Sequence, residues 1–336
     1  MEQPILSIYM TTYNHEKYIA EALDSILMQQ TDYPYEVLIG DDASPDGTAA
    51  VLRAYEAKYP GVFQVFYHPV NLVSQDKSNA TFLRDRCRGK YVVALEGDDF
   101  WTDPHKIDTQ IRFLESHPEY IAVAHRCMVV DENSRPTGEY YPQCVDAEYT
   151  FDHYAADVMP GQLATVMYRN YMLDTRIDTS VVRHRLSPTD RYIYFMLLSY
   201  GRIACLPEIM SAYRHVIRNG QSYSATVRYS FAKWEKWHGI LLDYAYSVGN
   251  PAAVACAETV CLSMLYESLG QSEQPPVSRP ARVRRAFSFY TRRIRHPLRS
   301  VGRYLRFRFR RKFVKSSVSY RYKVRYYESR KDAAAV

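Results

Sequence analysis

The chain has 336 residues, 47% hydrophobic and 24% charged, with a formal net charge of +6. That length holds a full α/β catalytic domain with something added, and the composition is that of a globular protein. Its six cysteines are scattered from Cys87 to Cys261 with no CxxC pair, which excludes a disulfide framework or a zinc knuckle and points to a reducing compartment.

The charge is divided unevenly. Residues 279–336 carry 20 Lys and Arg against Glu328 and Asp332, a local balance of +18, so residues 1–278 are left at −12. An acidic body joined to a basic tail behaves as two objects. The first residues, Met1 to Asn14, show no basic stretch followed by an apolar run, and no segment of about 18 apolar residues occurs. The expectation is a cytoplasmic protein, or one lying on the inner face of the cell membrane. The 31 tyrosines exceed what a core needs. They suit nucleotide, sugar or interface surfaces, or they are a compositional habit without function.

In chain order, Ile5 to Tyr9 reads as a strand, and Asn14 as the N-cap of a helix to about Gln30 with Ile19, Leu23, Ile26 and Leu27 on one face. Tyr35–Ile39 is the next strand, Thr48–Lys58 a helix stopped before Pro60, and Val62–Tyr67 a third strand. A helix over Asn79–Arg88 leads to the buried strand Tyr91–Leu95. Asp103-Pro104 then opens a helix to Ser116, and Ile121–Val130 is a strand. Further on, Leu163–Tyr168 looks extended, Thr189–Tyr200 helical, and Ile203–Leu206 like an edge strand. Residues 227–270 form two helices split near Gly249-Asn-Pro251, and Gln271–Pro280 is a linker. This alternation predicts a doubly wound, mostly parallel sheet.

Ligands of such sheets sit beyond the carboxyl ends of the strands. That rule marks three loops: Thr11–Asn14, Asp41–Gly47 and Glu96–Asp103. Glu96-Gly-Asp98-Asp99 places three carboxylates within four residues, which repel unless solvent or a cation neutralises them. Hard oxygen ligands of this kind suit Mg²⁺ or Mn²⁺ shared with substrate phosphates; the bland alternative is a solvated acidic turn. Asp41-Asp42 is placed to accept hydrogen bonds from a nucleobase or ribose, or to cap the turn before Thr48. Thr11 and Tyr13 add hydroxyls and a ring able to stack on a base.

Ser7-Ile-Tyr-Met-Thr-Thr-Tyr-Asn14, Ala22-Leu-Asp-Ser-Ile-Leu-Met-Gln29, the stretch from Tyr35 to Thr48, and Gly89 to Trp101 together resemble the family 2 glycosyltransferases. The resemblance is close over residues 4–120 and looser to about 225. It implies a GT-A fold, an inverting transfer and a divalent metal, in a bacterial surface-polysaccharide setting. On this resemblance Thr11 and Tyr13 hold the base and Asp42, with Asp41, bonds its edge. Asp98 faces ribose or metal, and Asp99 the metal and diphosphate. Direct ligation by Glu96 and a contact through water both stay open. Lys77 lies where relatives approach the phosphates. Pro188-Thr-Asp190-Arg191 resembles the segment carrying the general base, so Asp190 is the candidate base, and an N-cap role is compatible with it. Leu206 to His215 resembles a strand ending in Tyr-Arg-x-His, but His215 follows Arg214 directly. The resemblance gives Arg214 a diphosphate contact and His215 a further metal or phosphate contact, against the simpler structural reading of a lone histidine.

In the tail, Val283, Phe287, Tyr290, Ile294, Leu298, Val301 and Leu305 recur at helical steps with arginines between them, and Pro297 kinks or divides the helix. An anionic membrane surface ranks first as its partner, because a lipid-linked acceptor is presented there. Nucleic acid and an acidic protein surface, the chain's own body included, rank below it. The expected organisation is therefore a GT-A catalytic domain over 1–225, a helical segment over 226–275 and a basic amphipathic tail over 276–336. The expected activity moves a sugar from a nucleoside-diphosphate sugar, a UDP-sugar first, to a hydroxyl of a glycan or lipid-linked acceptor. The rival reading is a non-catalytic nucleotide-sugar or membrane-surface binding module.

Overall fold

A computed structural model of the chain describes residues 3–75, 77–139, 141, 143–183, 189–216, 231–268 and 278–309. The boundaries expected at 225 and 275, the linker from Gln271 to residue 277 and the tail beyond residue 309 lie outside the described residues. Contacts divide the chain into two units with interleaved segments. The first takes Met1–Tyr149, Pro160–Thr179 and Tyr200–His215; the second takes Thr150–Met159, Ser180–Ser199 and the described part of Val216–Val336.

The first unit is built on one sheet. Its strands are β1 (Leu6–Thr12), β2 (Tyr35–Asp41), β3 (Phe63–Tyr67), β4 (Tyr91–Glu96), β5 (Phe100–Trp101), β6 (Tyr120–Val130), β7 (Glu148–Tyr149), β8 (Met167–Arg169) and β9 (Arg202–Arg214). β3, β2, β1 and β4 pair in parallel in that order. β1 lies between β2 and β4 and is covered on both faces, which is why Leu6-Ser-Ile-Tyr-Met10 reads as a continuous run and not as an alternation. Beyond β4 the sheet is mixed. β8 is antiparallel to both β4 and β6, while β9 runs parallel to β6 and pairs antiparallel with β5 and β7. The α/β class holds, with a parallel half joined to a mixed half.

Helices α1 (Ile19–Leu27), α2 (Thr48–Lys58), α3 (Asn79–Arg84) and α4 (Lys106–Ser116) complete this unit's layers. Ile19, Leu23 and Ile26 of α1 and Ile107, Ile111 and Leu114 of α4 enter one core with Ile8, Met10, Val93 and Leu95. Each such side chain contributes about 2 kcal/mol by leaving water. Asn14 does not cap α1: it takes a left-handed conformation (φ 61°), and the helix starts at Ile19. Asparagine tolerates that region better than most residues, so the same side chain that suits a cap here turns the chain before the helix. β9 is not a short edge strand either. It runs 13 residues inside the sheet, where Pro207 and a register shift interrupt its apolar pattern.

In the second unit, α5 (Phe151–Ala155), α6 (Ser180–Arg183), α7 (Thr189–Tyr200), α8 (Phe231–Val248), α9 (Pro251–Ser268) and α10 (Arg279–Arg293) are followed by a helical stretch over 297–309. Tyr192 to Leu198 of α7 are all buried, as an all-round apolar helix requires. Phe195 packs on Phe151, Tyr154 and Tyr244 at 5.2–6.3 Å between ring centres. Much of the tyrosine surplus goes to cores: Tyr9, Tyr91, Tyr149, Tyr154, Tyr168, Tyr171 and Tyr194 are among the largest fully buried side chains. All six cysteines are thiols. Among the described residues no helix is long and apolar enough to cross a membrane.

Candidate active site

Strand register assembles the site. Thr11 stands between Gly40 of β2 and Glu96 of β4, and Thr12 stands beside Asp41. The carboxyl ends of β2, β1 and β4 therefore form one row, where parallel sheets present their ligands. The ladder continues into the loops, because Asp42 N–H donates to Thr12 O and Gly97 N–H to Thr11 O, both at 3.0 Å. Gly97 is required by this closeness. A Cβ there would stand 2.8 Å from Thr12 Oγ1 and 2.9 Å from His15 Nδ1.

Glu96, Asp98 and Asp99 each offer a carboxylate oxygen within 4.8 Å of the others. They are not equivalent. Asp99 is 1% exposed; its Oδ1 accepts the Arg214 backbone N–H at 2.8 Å and its Oδ2 accepts Gln162 Nε2 at 2.7 Å. The same amide nitrogen donates to Glu96 Oε2 at 3.1 Å, so one side chain bridges two of the three acids. Burial, then the charges of Asp98 and Glu96, push the Asp99 carboxyl well above the ordinary range, and the bond from Arg214 offsets this only in part. Asp98 is partly exposed, with His15 Nε2 at 3.8 Å from its Oδ2. Three hard oxygens whose mutual repulsion a cation relieves fit Mg²⁺ or Mn²⁺.

Arg214 is expected at the diphosphate; its guanidinium lies against the acidic turn and is enclosed there. The side chain is 1% exposed. It donates to Asp98 O (2.8 Å), Asp131 O (2.9 Å), Ser134 Oγ (3.1 Å) and Glu21 Oε2 (2.6 Å), and lies over the Tyr18 ring at 4.3 Å. Buried donors must be matched, and these are matched by the chain itself. Arg214 ties the acidic turn to α1 and to the loop after β6.

The other expected residues fall as follows. Thr11 is half-buried and the Tyr13 ring 47% exposed, beside the strand row. Asp41 and Asp42 are buried; Asp41 Oδ1 accepts from the Ser44 hydroxyl and N–H, and Asp42 Oδ1 accepts Leu72 N–H at 2.6 Å. Lys77 is exposed, and its N–H closes the turn from Leu72. His215 Nδ1 meets Glu139 Oε2 at 3.2 Å and its ring stacks on Tyr213; the carboxylate group able to hold a cation does not include it. Asp190 is the second residue of α7, within the helix and not its cap, and belongs to the second unit. A carboxylate in a helix's first turn is favoured by the helix dipole.

Residues 7–165 match the family model described as glycosyl transferase family 2. Those residues form a family 2 glycosyltransferase domain. It is 34% identical over 236 residues to the uncharacterized protein Rv1520 of Mycobacterium tuberculosis, covering 70% of this chain and 65% of that relative. The chain thus spans just under two thirds of that relative's length. It is 23% identical over 237 residues to a Bacillus subtilis protein named as a teichuronic acid biosynthesis glycosyltransferase, TuaG, covering 70% of this chain and 90% of that one. Among solved structures, residues 1–349 of TarS of S. aureus in complex with UDP-GlcNAc match with a TM-score of 0.56 at 19% identity, covering 76% of this chain and 70% of that one. That likeness is one of fold, and the fold is GT-A.

Two residues around this family 2 site escape sequence reasoning. His15 follows the loop singled out after β1 by one position, so the strand-end rule nearly reached it. Gln162 carries no signal: it sits 63 residues from Asp99 in an irregular stretch before β8. Only the antiparallel insertion of β8 beside β4 brings it to the acidic turn.

Proposed function

We propose that this chain is an inverting, metal-dependent glycosyltransferase. It moves a sugar from a UDP-sugar to a hydroxyl of a glycan or lipid-linked acceptor in cell-surface polysaccharide synthesis. The observation that carries the reading is the row of Thr11, Asp41 and Glu96 across three strand ends, continued by Asp98 and Asp99. The UDP-GlcNAc held by TarS and the naming of TuaG support the donor and the pathway class.

In this reading Thr11 and Tyr13 hold the base, Asp41 and Asp42 its edge and ribose, and Lys77 the phosphates. Asp98 and Asp99 would hold Mn²⁺ or Mg²⁺, with Glu96 reaching it directly or through water, and the ion would supply positive charge against the departing diphosphate. Asp190 takes the acceptor's proton as the hydroxyl oxygen attacks C1 of the sugar. The C1–O bond to the diphosphate breaks, UDP leaves with the electron pair, and the anomeric configuration inverts. The lipid-linked class of acceptor places the enzyme at the inner face of the cell membrane, with the basic tail toward it.

Calorimetric titration of UDP with and without Mn²⁺ tests the donor site. Mn²⁺-dependent binding in the wild type, weakened at least about a hundredfold in Asp98→Asn, is expected. UDP binding that ignores both the ion and the substitution sinks the metal-dependent reading. If UDP, GDP and dTDP all fail to bind, a scaffolding role replaces the enzyme. Retention of sugar transfer by Asp190→Asn removes Asp190 as the base.

A further inference from the structure

The basic tail is amphipathic in a sense that its sequence does not disclose. In α10, Ala286 and Phe289 are buried; after the break at Ile294, so are Ser300, Tyr304 and Phe307 of the helix over 297–309. This inward side is where the tail meets acidic groups of its own unit. Arg293 pairs with Asp243 at 2.8 Å, and Arg303 and Ser300 both bind the buried Glu258, whose other oxygen accepts Tyr246 OH at 2.8 Å. Among the described residues, docking on the chain's own unit is therefore accomplished by this side.

The opposite side carries large apolar groups in the open. Val283 (44%), Phe287 (67%), Leu298 (89%), Val301 (38%), Leu305 (60%) and Phe309 (72%) account for half of the large hydrophobic side chains exposed on the described residues. Val283 and Phe287 are one turn apart, and 298, 301, 305 and 309 follow the helical steps of a single face. Exposed Arg284, Arg285, Arg299 and Arg306 flank them. The set expected from sequence is thus split: Ile294 turns inward and the others named here stay out.

We propose that this outward face docks on the surface of an anionic lipid bilayer. Four of its six apolar groups are aliphatic, which enter acyl chains but cannot stack on bases as a nucleic-acid platform requires. Flanking guanidiniums remain at the headgroup level while the apolar groups pass below it. The inference deepens the membrane-side part of the function proposed above and is independent of its chemistry.

The test is flotation of the full chain with phosphatidylcholine vesicles, with and without about 30 mol% phosphatidylglycerol. Wild type is compared with Leu298→Asp/Leu305→Asp and with Arg299→Gln/Arg306→Gln, each checked for an unchanged unfolding temperature and UDP affinity. The wild type is expected to float with anionic vesicles only. The leucine pair should weaken binding at least about tenfold at any salt, and the arginine pair should weaken it most at low salt. No flotation of the wild type, flotation unchanged by the leucine pair, or self-association that the leucine pair abolishes would overturn the proposal. So would single-stranded DNA binding that the same pair abolishes. UDP binding intact beside failed flotation removes the docking face alone; the reverse removes the donor site alone.

Discussion

The acidic turn after β4 and the arginine-rich helices at the end of the described chain handle like charge in opposite ways. At the turn, three carboxylates crowd within 4.8 Å, one of them fully buried, and survive only because Gln162, Arg214 and the end of β4 hold them. On the tail, arginines stand apart in solvent, and those that pair do so at the surface or against one buried acid. Crowded charge works against folding, so its presence marks a site that something else completes. Dispersed charge costs little and marks a surface that meets a partner from outside.

The two regions can be separated by the worth of an arginine in each. Arg214→Leu takes the guanidinium donor from Asp98 O and one of the donors from Glu21 and Asp131 O, which keep Ser134, and is expected to cost about 3 kcal/mol in urea unfolding. A loss under about 1 kcal/mol would mean that the acidic turn is not held this way. Gln162→Ala leaves the three acids in place but frees two of them from their shared donor. Mn²⁺ affinity measured with UDP present is expected to fall about tenfold or more. Unchanged Mn²⁺ affinity would leave Gln162 a packing residue. Arg293→Ala removes an ion pair whose partners are 45% and 61% exposed, and should change stability by less than about 1 kcal/mol. A larger loss would erase the contrast between the regions.

Much of the fold was legible. The helices Thr48–Lys58 and Thr189–Tyr200 appear with the bounds that periodicity and Pro60 suggested, and the split at Gly249-Asn-Pro251 separates α8 from α9. Local signals carried these elements: a proline, a positive-φ glycine at 249, an apolar repeat. The acidic turn was legible too, because carboxylates directly after a buried strand fall where parallel sheets gather ligands. Less visible were the long-range relations. Nothing near Arg214 tells that its guanidinium is enclosed by Glu21, Ser134 and the Tyr18 ring, 193 residues away in the case of Glu21.

The sequence by itself determined the family, the alternation of strands and helices, the place of the acidic turn and the existence of a basic, apolar-striped tail. Each follows from residues close together in the chain, whose spacing and chemistry act before any tertiary contact forms. Tertiary structure alone decided that Asp99 is enclosed while Asp98 is open, that Gln162 and His15 join the site, that Arg214 clamps the turn, and which side of the tail faces out. Those outcomes depend on burial and on partners brought together by strand register and helix packing, and neither is written in the local pattern.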